Sequence, residues 1–315
     1  LRTASRRRFP KAQFNVTVGR RWLLGGHTLD QIRAMGSPAA FDCLAPPDAP
    51  AAIIFTTGST GPPKGVLYCH RNFDSEVAHI QSEYNIQPGE VDVPGFPLFG
   101  LFNAAMGVST VIPRMDFTRP AKVDTREIIE AVNAFNATQS FASPALWNVI
   151  GRYCEEQSVR LPSLRRVLSA GAPVPEHVLR RMTSAIAADG EMHTPYGATE
   201  SLPVATISAR EGLVHTAANS KKRAGTCVGS RFAGIEWKVI QITDDPIQQL
   251  TQAIEVKQGE IGELIVRGDV VTSQYVTQSD ANALHKISDG DSFWHRMGDV
   301  GYLDERDRFW FCGRK

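Results

Sequence analysis

The sequence predicts an α/β fold, with layered sheets flanked by helices and a small β-rich subdomain. Residues 167–176 read as strand, glycine loop and helix start, the repeating unit of a doubly wound sheet, and residues 194–200 read as the next such glycine loop. After Gly229 the apolar residues alternate with period two, as in 235–240 and 263–267, which is typical of half-buried strands. We therefore expect three parts: an incoming segment and linker at 1–48, an α/β subdomain at 49–227 and a β-rich subdomain at 228–315.

Composition excludes several classes of function. The chain has 315 residues, 42% of them hydrophobic, which is enough to build one large or two ordinary cores. Its formal net charge is +1, so we expect neither nucleic acid nor an anionic membrane as partner. The five cysteines are scattered and form no C-x-x-C pair, which favours a reduced, cytoplasmic protein. No apolar run approaches the ~20 residues of a transmembrane segment.

Both ends of the sequence look cut. The first residue is Leu1 rather than Met, and the last three residues come shortly after an apolar, strand-like run at 308–311. We therefore expect the chain to be a segment of a longer protein.

Capping residues and apolar spacing predict the helices. Ser143 followed by Pro144 is a strong start signal, because Ser caps the helix and Pro suits its first position. Asp124 precedes apolar residues at helical spacing and predicts a second start. Other helices are expected from Thr28, from Asn72 to about Tyr84 and from about Pro175. Strands are expected at 51–55, 66–68, 167–169, 235–240, 263–267 and 308–311.

The most informative stretch is the loop from Thr56 to Gly65, between two apolar strand candidates. It combines three glycines, four hydroxyls and a lysine, which suit a chain of phosphates: Thr56, Thr57, Gly58, Ser59, Thr60, Gly61, Lys64 and Gly65. A P-loop would need Gly directly before the lysine, Ser or Thr directly after it, and then a helix. Pro63 and Gly65 occupy those positions. A plain polar hairpin loop and a P-loop phosphohydrolase remain the alternatives.

The loop resembles the signature loop of the adenylate-forming superfamily, which comprises acyl-CoA synthetases, luciferases and the adenylation domains of peptide synthetases. Further matches follow in the family's order at 170–173, 194–200, 262–268, 294–302 and 313–314. Within the superfamily, four stretches resemble the β-lactone synthetases of bacterial olefin biosynthesis most closely: 96–99, 143–146, 224–229 and 294–304. Long-chain acyl-CoA ligases are the next most similar group.

The resemblance implies a nucleotide site. Residues 56–64 would hold the β- and γ-phosphates, Thr199 would bond the α-phosphate, and Glu200 would hold Mg²⁺, with Lys64 completing the catalytic set. Tyr196, followed by Gly197, would lie on the adenine face. The opposite wall would be Gly171, Ala172 and Pro173. Asp299 would accept from the ribose hydroxyls, and Arg314 would reach the ribose or the α-phosphate. Each also has an ordinary structural alternative: a core aromatic for Tyr196, a surface carboxylate for Glu200, a turn for Asp299 and a frayed terminal residue for Arg314.

An aromatic segment is expected to line an acyl pocket. Three phenylalanines fall within residues 96–102, and in the resembled family this segment follows a strand and faces the acyl chain. The predicted pocket residues are Phe96, Phe99, Gly100 and Ser143. The family usually has a histidine or another ring at the position of Gly100, so a wider pocket is expected here. The structural alternative is an ordinary core segment.

The resemblance implies an adenylate-forming ligase. Such an enzyme uses ATP and Mg²⁺ to convert a fatty-acid-type carboxylate into an acyl adenylate and pyrophosphate. Ring closure of a long-chain 3-hydroxy acid to a β-lactone would follow. The alternatives are a long-chain acyl-CoA synthetase, with CoA as acceptor, and a nucleotide-binding module without catalysis. The family's catalytic lysine lies in a C-terminal domain reached through a hinge just past the Gly-Arg pair. Because the chain ends at Lys315, we expect that partner domain to lie outside it and this segment alone to be poorly active.

Overall fold

The chain divides into two compact units, residues 1–45 and residues 46–315. The computed structural model describes residues 10, 13–21, 25–37, 44–56, 62–97, 99–216 and 225–315. In the first unit, strand β1 (Val16–Thr17) pairs in parallel with β2 (His27–Thr28). Helix α1 (Leu29–Met35) follows directly. The Thr28 side chain accepts from the backbone N–H of Gln31, whose own side chain accepts from the Thr28 N–H, so the predicted start at Thr28 is confirmed.

The second unit contains the remaining helices and strands. Its helices are α2 (His70–Glu83), α3 (Phe99–Ala105), α4 (Thr125–Ala134), α5 (Pro144–Gln157), α6 (Glu176–Ala185), α7 (Ala209–Glu211) and α8 (Ala281–His285). Short 3₁₀ turns cover Pro120–Lys122 and Leu250–Gln252, and a π turn covers Gly212–Thr216. Among the described residues, no helix combines the length and apolar content needed to cross a membrane.

The strands of the second unit are β3 (Pro50–Phe55), β4 (Gly65–Cys69), β5 (Val91–Asp92), β6 (Ser109–Thr110), β7 (Gln139–Ala142), β8 (Arg166–Ser169), β9 (Glu191–Ala198), β10 (Ser201–Ser208), β11 (Thr226–Arg231), β12 (Glu236–Ile240), β13 (Gly262–Arg267), β14 (Lys286–Asp289), β15 (Ser292–Leu303) and β16 (Arg308–Arg314). Strands β3 and β4 pair with each other, and in the part of the chain that the structure describes the other twelve form one sheet.

The large sheet is parallel in one half and antiparallel in the other. Its order is β12-β13-β15-β16-β11-β10-β9-β8-β7-β5-β6, and β14 pairs with β15. Strands β5 to β9 run parallel, and every pair from β9–β10 onward is antiparallel. The predicted mixture of an α/β part and a β-rich part is confirmed. The direction changes at β9 and β10, while a subdomain boundary at residue 228 stays a prediction.

Helices α4 to α6 cover one face of the parallel half. Ser143 caps α5 by accepting from the Leu146 N–H, with Pro144 at the first position as expected. The indole of Trp147 on α5 is buried and donates to the carbonyl of Leu168 on β8 at 3.0 Å, which fixes the helix against the sheet. The other buried apolar residues of this layer include Ile128, Ile129, Val132, Leu146, Ile150, Val178 and Met182.

A strand, not a helix, follows Lys64. Strand β4 begins at Gly65 and pairs antiparallel with β3, and α2 begins at His70. A P-loop requires a helix directly after its lysine, so the phosphohydrolase alternative is excluded.

The sequence interpretation of residues 194–200 as a glycine loop between strand and helix was wrong. Residues up to Ala198 belong to β9, and a turn at 199–200 leads into the antiparallel strand β10. Gly197 allows the close approach of the two strands, since a Cβ there would lie 2.6 Å from the carbonyl oxygen of Ser201. Gly197 is therefore required by the close contact between two strands, and a sequence pattern cannot distinguish such a contact from a loop.

Candidate functional site

A cavity of about 1340 Å³ lies in the second unit. Most of the described residues predicted for the site line it: Thr56, Lys64, Phe96, Phe99, Ser143, Gly171, Ala172, Pro173, Tyr196, Gly197, Thr199, Glu200, Asp299 and Arg314. Gly65 and Gly100 do not. Thr57, Gly58, Ser59, Thr60 and Gly61 lie outside the described residues. Segments as distant in sequence as Thr56 and Arg314 thus converge on one space.

Thr56 and Lys64 hold the two ends of the predicted phosphate loop together. The backbone N–H of Thr56 donates to the Lys64 carbonyl at 3.0 Å, and the Lys64 N–H donates to the Thr56 hydroxyl at 3.1 Å. Beyond the loop, the N–H of Gly65 donates to the hydroxyl of Thr277 at 2.7 Å. These bonds fix the start of β4 and so fix where the lysine side chain begins.

The Lys64 side chain is directed by a histidine that sequence reasoning missed. Its Nζ lies 3.1 Å from Nε2 of His285 and 4.9 Å from the centre of the Tyr275 ring. His285 Nδ1 faces the Arg296 carbonyl at 3.4 Å, so Nδ1 carries the hydrogen and Nε2 accepts from the ammonium. Burial, reinforced by the Lys64 charge, lowers the pKa of His285 to about 4, which keeps the ring a neutral acceptor. Burial also lowers the pKa of Lys64, while Glu200 opposes that shift.

The turn between β9 and β10 is tied to two tyrosines. The Tyr275 hydroxyl donates to Glu200 Oε1 at 2.7 Å, and the Tyr68 hydroxyl donates to the Thr199 carbonyl at 2.6 Å. Thr272 adds bonds from its N–H and hydroxyl to the Glu200 carbonyl, at 2.9 and 3.0 Å. A short turn is thereby held rigidly at the cavity wall.

Asp299 connects Tyr196 and Arg314. Its Oδ2 accepts from the Tyr196 hydroxyl at 2.5 Å, and its Oδ1 accepts from Arg314 Nη1 at 2.6 Å. Burial raises the pKa of Asp299, while the hydrogen bond from Tyr196 and the charge of Arg314 oppose the rise. A carboxylate can accept about four hydrogen bonds, so each oxygen keeps capacity for a further donor.

Gly171 leaves the opposite wall open. Its φ of +94° is in a region that favours glycine, and a Cβ there would meet nothing within 4 Å. The backbone of 171–173 can therefore be approached closely by a flat ring, as the sequence interpretation requires.

The other end of the cavity is aromatic. Phe99 stacks on Phe141, with ring centroids 3.7 Å apart, and lies 6.1 Å from Phe96 and 5.8 Å from Phe102. Gly100 does not reach this wall, because a Cβ on it would point at the Thr110 side chain, 3.1 Å away. The absence of a side chain at Gly100 relates to the packing of α3 against β6, and the expectation that it widens the pocket has no support in this geometry.

Sequence reasoning missed several residues that the fold brings to the site: Tyr68, Glu76, Phe141, Tyr275 and His285. None belongs to a recognisable motif. A pairing such as Lys64 with His285 spans 221 positions, so no local pattern indicates it.

Comparison with known proteins identifies the class to which this site belongs. The sequence model of the AMP-binding enzyme family matches residues 20–276. The chain therefore belongs to the AMP-binding enzyme family. Asp299 and Arg314 lie beyond the matched range, in the antiparallel part of the sheet.

Two curated relatives are olefin β-lactone synthetases. The one from Stenotrophomonas maltophilia (strain K279a) is 45% identical over 97% of this chain and 56% of its own length. The one from Xanthomonas campestris pv. campestris is 44% identical over 97% of this chain and 55% of its own length. The chain thus spans about half the length of these relatives.

A solved long-chain-fatty-acid–CoA ligase from Archaeoglobus fulgidus shares the fold. It superposes with a TM-score of 0.71 at 23% identity, covering 91% of this chain and 56% of that one.

Proposed function

We propose that the protein containing this chain activates a fatty-acid-type carboxylate with ATP, forming an acyl adenylate and pyrophosphate. We further propose that the adenylate of a long-chain 3-hydroxy acid then closes to a β-lactone. The observation that carries the first step is that one cavity has Lys64, Glu200 and Asp299 along its polar side and a phenylalanine wall at its other end. The second step is supported by the two β-lactone synthetases that resemble this chain along almost its whole length.

The polar side of the cavity suits the charges of this reaction. Adenylation joins two anions, so donors and cations must neutralise the charge that develops on the phosphates. In this proposal Lys64 contacts the leaving phosphates, held in place by His285, and Thr199 contacts the α-phosphate. Tyr196 and the 171–173 backbone enclose the adenine, while Asp299 and Arg314 contact the ribose.

The carboxylate of Glu200 is suited to coordinating a magnesium ion. Mg²⁺ usually keeps several waters and binds through one or two carboxylates together with substrate phosphates. Glu200 Oε1 accepts from Tyr275, and among the described residues no hydrogen bond engages Oε2, which is left for an ion. When bound, the ion would offset negative charge on the phosphates.

The closure step needs no thiol. A hydroxyl two carbons from the activated carbonyl is already within the same molecule, so proximity supplies the nucleophile. The geometry is also compatible with thioester formation, since both reactions share the adenylate. The products must therefore be compared with and without CoA.

Pyrophosphate release from ATP by the full-length protein tests the proposal. We expect release to depend on added fatty acid or 3-hydroxy fatty acid and on Mg²⁺, and a β-lactone to form from the 3-hydroxy acid without CoA. If no lactone forms and a thioester forms only when CoA is added, the second step is thioester formation, as in the acyl-CoA synthetase alternative. Nucleotide binding without any acid-dependent pyrophosphate would instead indicate a binding module.

Asp299→Asn is expected to weaken AMP binding about tenfold, measured by titration calorimetry. The amide keeps the shape of the carboxylate but removes the negative charge that pairs with Arg314 and strengthens the hydrogen bond from the ribose. Hydrogen bonds to charged groups contribute about 1.5–3 kcal/mol. Asp307→Asn is the matched control, because Asp307 is exposed, does not line the cavity and has a φ of +56°, which asparagine tolerates. Equal affinities for the two variants would rule out the ribose contact.

A further inference from the structure

Glu76 places a carboxyl group in the apolar part of the cavity. It lies on α2, is only 2% exposed and lines the cavity beside Phe73. Among the described residues its Oε1 has no hydrogen-bond partner. Burying an unsatisfied polar atom destabilises the folded state, so a carboxyl kept in an aromatic wall needs a reason.

Glu76 lies towards the reacting end of the cavity. Its carboxyl interacts with the hydroxyl of Tyr68, and that hydroxyl donates to the Thr199 carbonyl at 2.6 Å. The rings of Tyr68, Phe73 and Phe102 follow one another at 4.9 and 6.3 Å, leading away from Thr199 along the apolar wall. The carboxyl therefore lies where the first few carbons of an activated acyl chain would pass.

The environment of Glu76 suits exchange of a proton near neutral pH. Burial raises the pKa of Glu76 to about 8, and the nearby Tyr68 hydroxyl opposes the rise. A general base is most effective when its pKa lies close to the working pH.

We infer that Glu76 binds the 3-hydroxyl group of the acyl substrate and accepts its proton during ring closure. This inference rests on the proposed function. In that step the 3-oxygen forms a bond to the acyl carbon, and the bond from this carbon to the phosphate oxygen breaks. AMP leaves with the electron pair of that bond, and the hydroxyl proton passes to the Glu76 carboxylate.

A second buried carboxyl provides the control. Asp92 is 2% exposed, its Oδ1 has no partner among the described residues, and burial raises its pKa to about 7. Its Oδ2 accepts from Asn103 at 2.6 Å, and it does not line the large cavity. Asp92→Asn therefore makes the same carboxyl-to-amide change in a similarly buried environment that is outside the large cavity.

The test compares Glu76→Gln, Glu76→Leu and Asp92→Asn in the full-length protein, with a 3-hydroxy acid and the unsubstituted acid of equal length. Glu76→Gln can still bind a hydroxyl but cannot take its proton. We expect this variant to match the wild type in the single-turnover burst of pyrophosphate from both acids and to form lactone about 10²-fold more slowly. Glu76→Leu should also lower, by tenfold or more, the kcat/KM for pyrophosphate release with the 3-hydroxy acid relative to the unsubstituted acid. Asp92→Asn should match the wild type in both.

Three results would overturn the inference. If Glu76→Gln forms lactone at the wild-type rate, Glu76 does not accept the proton. If Glu76→Leu keeps the wild-type ratio of kcat/KM for the 3-hydroxy acid and the unsubstituted acid, Glu76 does not contact the hydroxyl. An equal loss of pyrophosphate release with both acids in Glu76→Gln indicates a purely structural role. If the wild type releases no pyrophosphate, or releases it without forming lactone, the proposed function itself fails and the inference falls with it.

Discussion

Replacing Arg296 by methionine is expected to lower the free energy of unfolding by about 3–5 kcal/mol. Arg296 and Glu263 form an ion pair between neighbouring strands, with side chains only 1% and 2% exposed. Arg296 Nη1 also donates to the carbonyls of Asp245 and Leu284, at 3.0 and 3.2 Å. The methionine would leave Glu263 buried with Lys315 Nζ, 3.6 Å away, as its remaining cation, and would leave these carbonyls without their donor.

Urea denaturation followed by circular dichroism measures this effect. Arg152→Met is the matched control, because Arg152 pairs with Glu156 at 4.0 Å and both side chains are more than half exposed. Its midpoint should stay close to that of the wild type. The double variant Arg296→Met with Glu263→Met should recover part of the loss, since replacing a whole buried pair costs less than removing one partner. Equal midpoints for Arg296→Met and Arg152→Met would contradict the expectation.

The elements that the sequence predicts well depend on signals within a few residues. Thr28 and Ser143 each accept a hydrogen bond from an N–H three residues ahead, so their effect is readable locally. The signal for the strand after Lys64 is also local, because Gly65 and an apolar run follow the lysine directly. Such features keep their meaning whatever the rest of the chain does.

The misread features depend on a distant partner. Gly197 was interpreted as part of a loop because a glycine pattern does not reveal that β10 passes close to it. The position of Gly100 suggested a wider pocket, yet its direction is set by α3 and Thr110. In both cases tertiary packing gives the glycine its role.

The polar site shows the same division. A motif indicates that Lys64 belongs to a phosphate loop, but its orientation depends on His285 and Tyr275, more than 200 positions away. Glu76 lies in an ordinary helical pattern, and only the fold shows that it faces a cavity. The sequence therefore predicts which groups would bind a nucleotide, whereas the contacts that orient those groups require the structure.

Lys64→Met is expected to lower kcat/KM for acid-dependent pyrophosphate release about 10²–10³-fold in the full-length protein. The ammonium is pre-oriented by a neutral histidine acceptor 3.1 Å away and by the face of Tyr275. Such a fixed charge stabilises phosphates in the transition state without reorganising, and methionine keeps the length of the side chain but not the charge. Lys122→Met is the control, because Lys122 is exposed and does not line the cavity.

Removing the histidine separates orientation from charge. In His285→Ala the Lys64 ammonium remains but loses its acceptor, so we expect a smaller loss, about tenfold, in the same assay. If the lysine acts only through its charge, whatever its direction, His285→Ala will match the wild type while Lys64→Met stays impaired. If Lys64→Met itself retains the wild-type kcat/KM, the cavity cannot bind a triphosphate in the orientation proposed, because Lys64 is the cation that the signature loop presents to it.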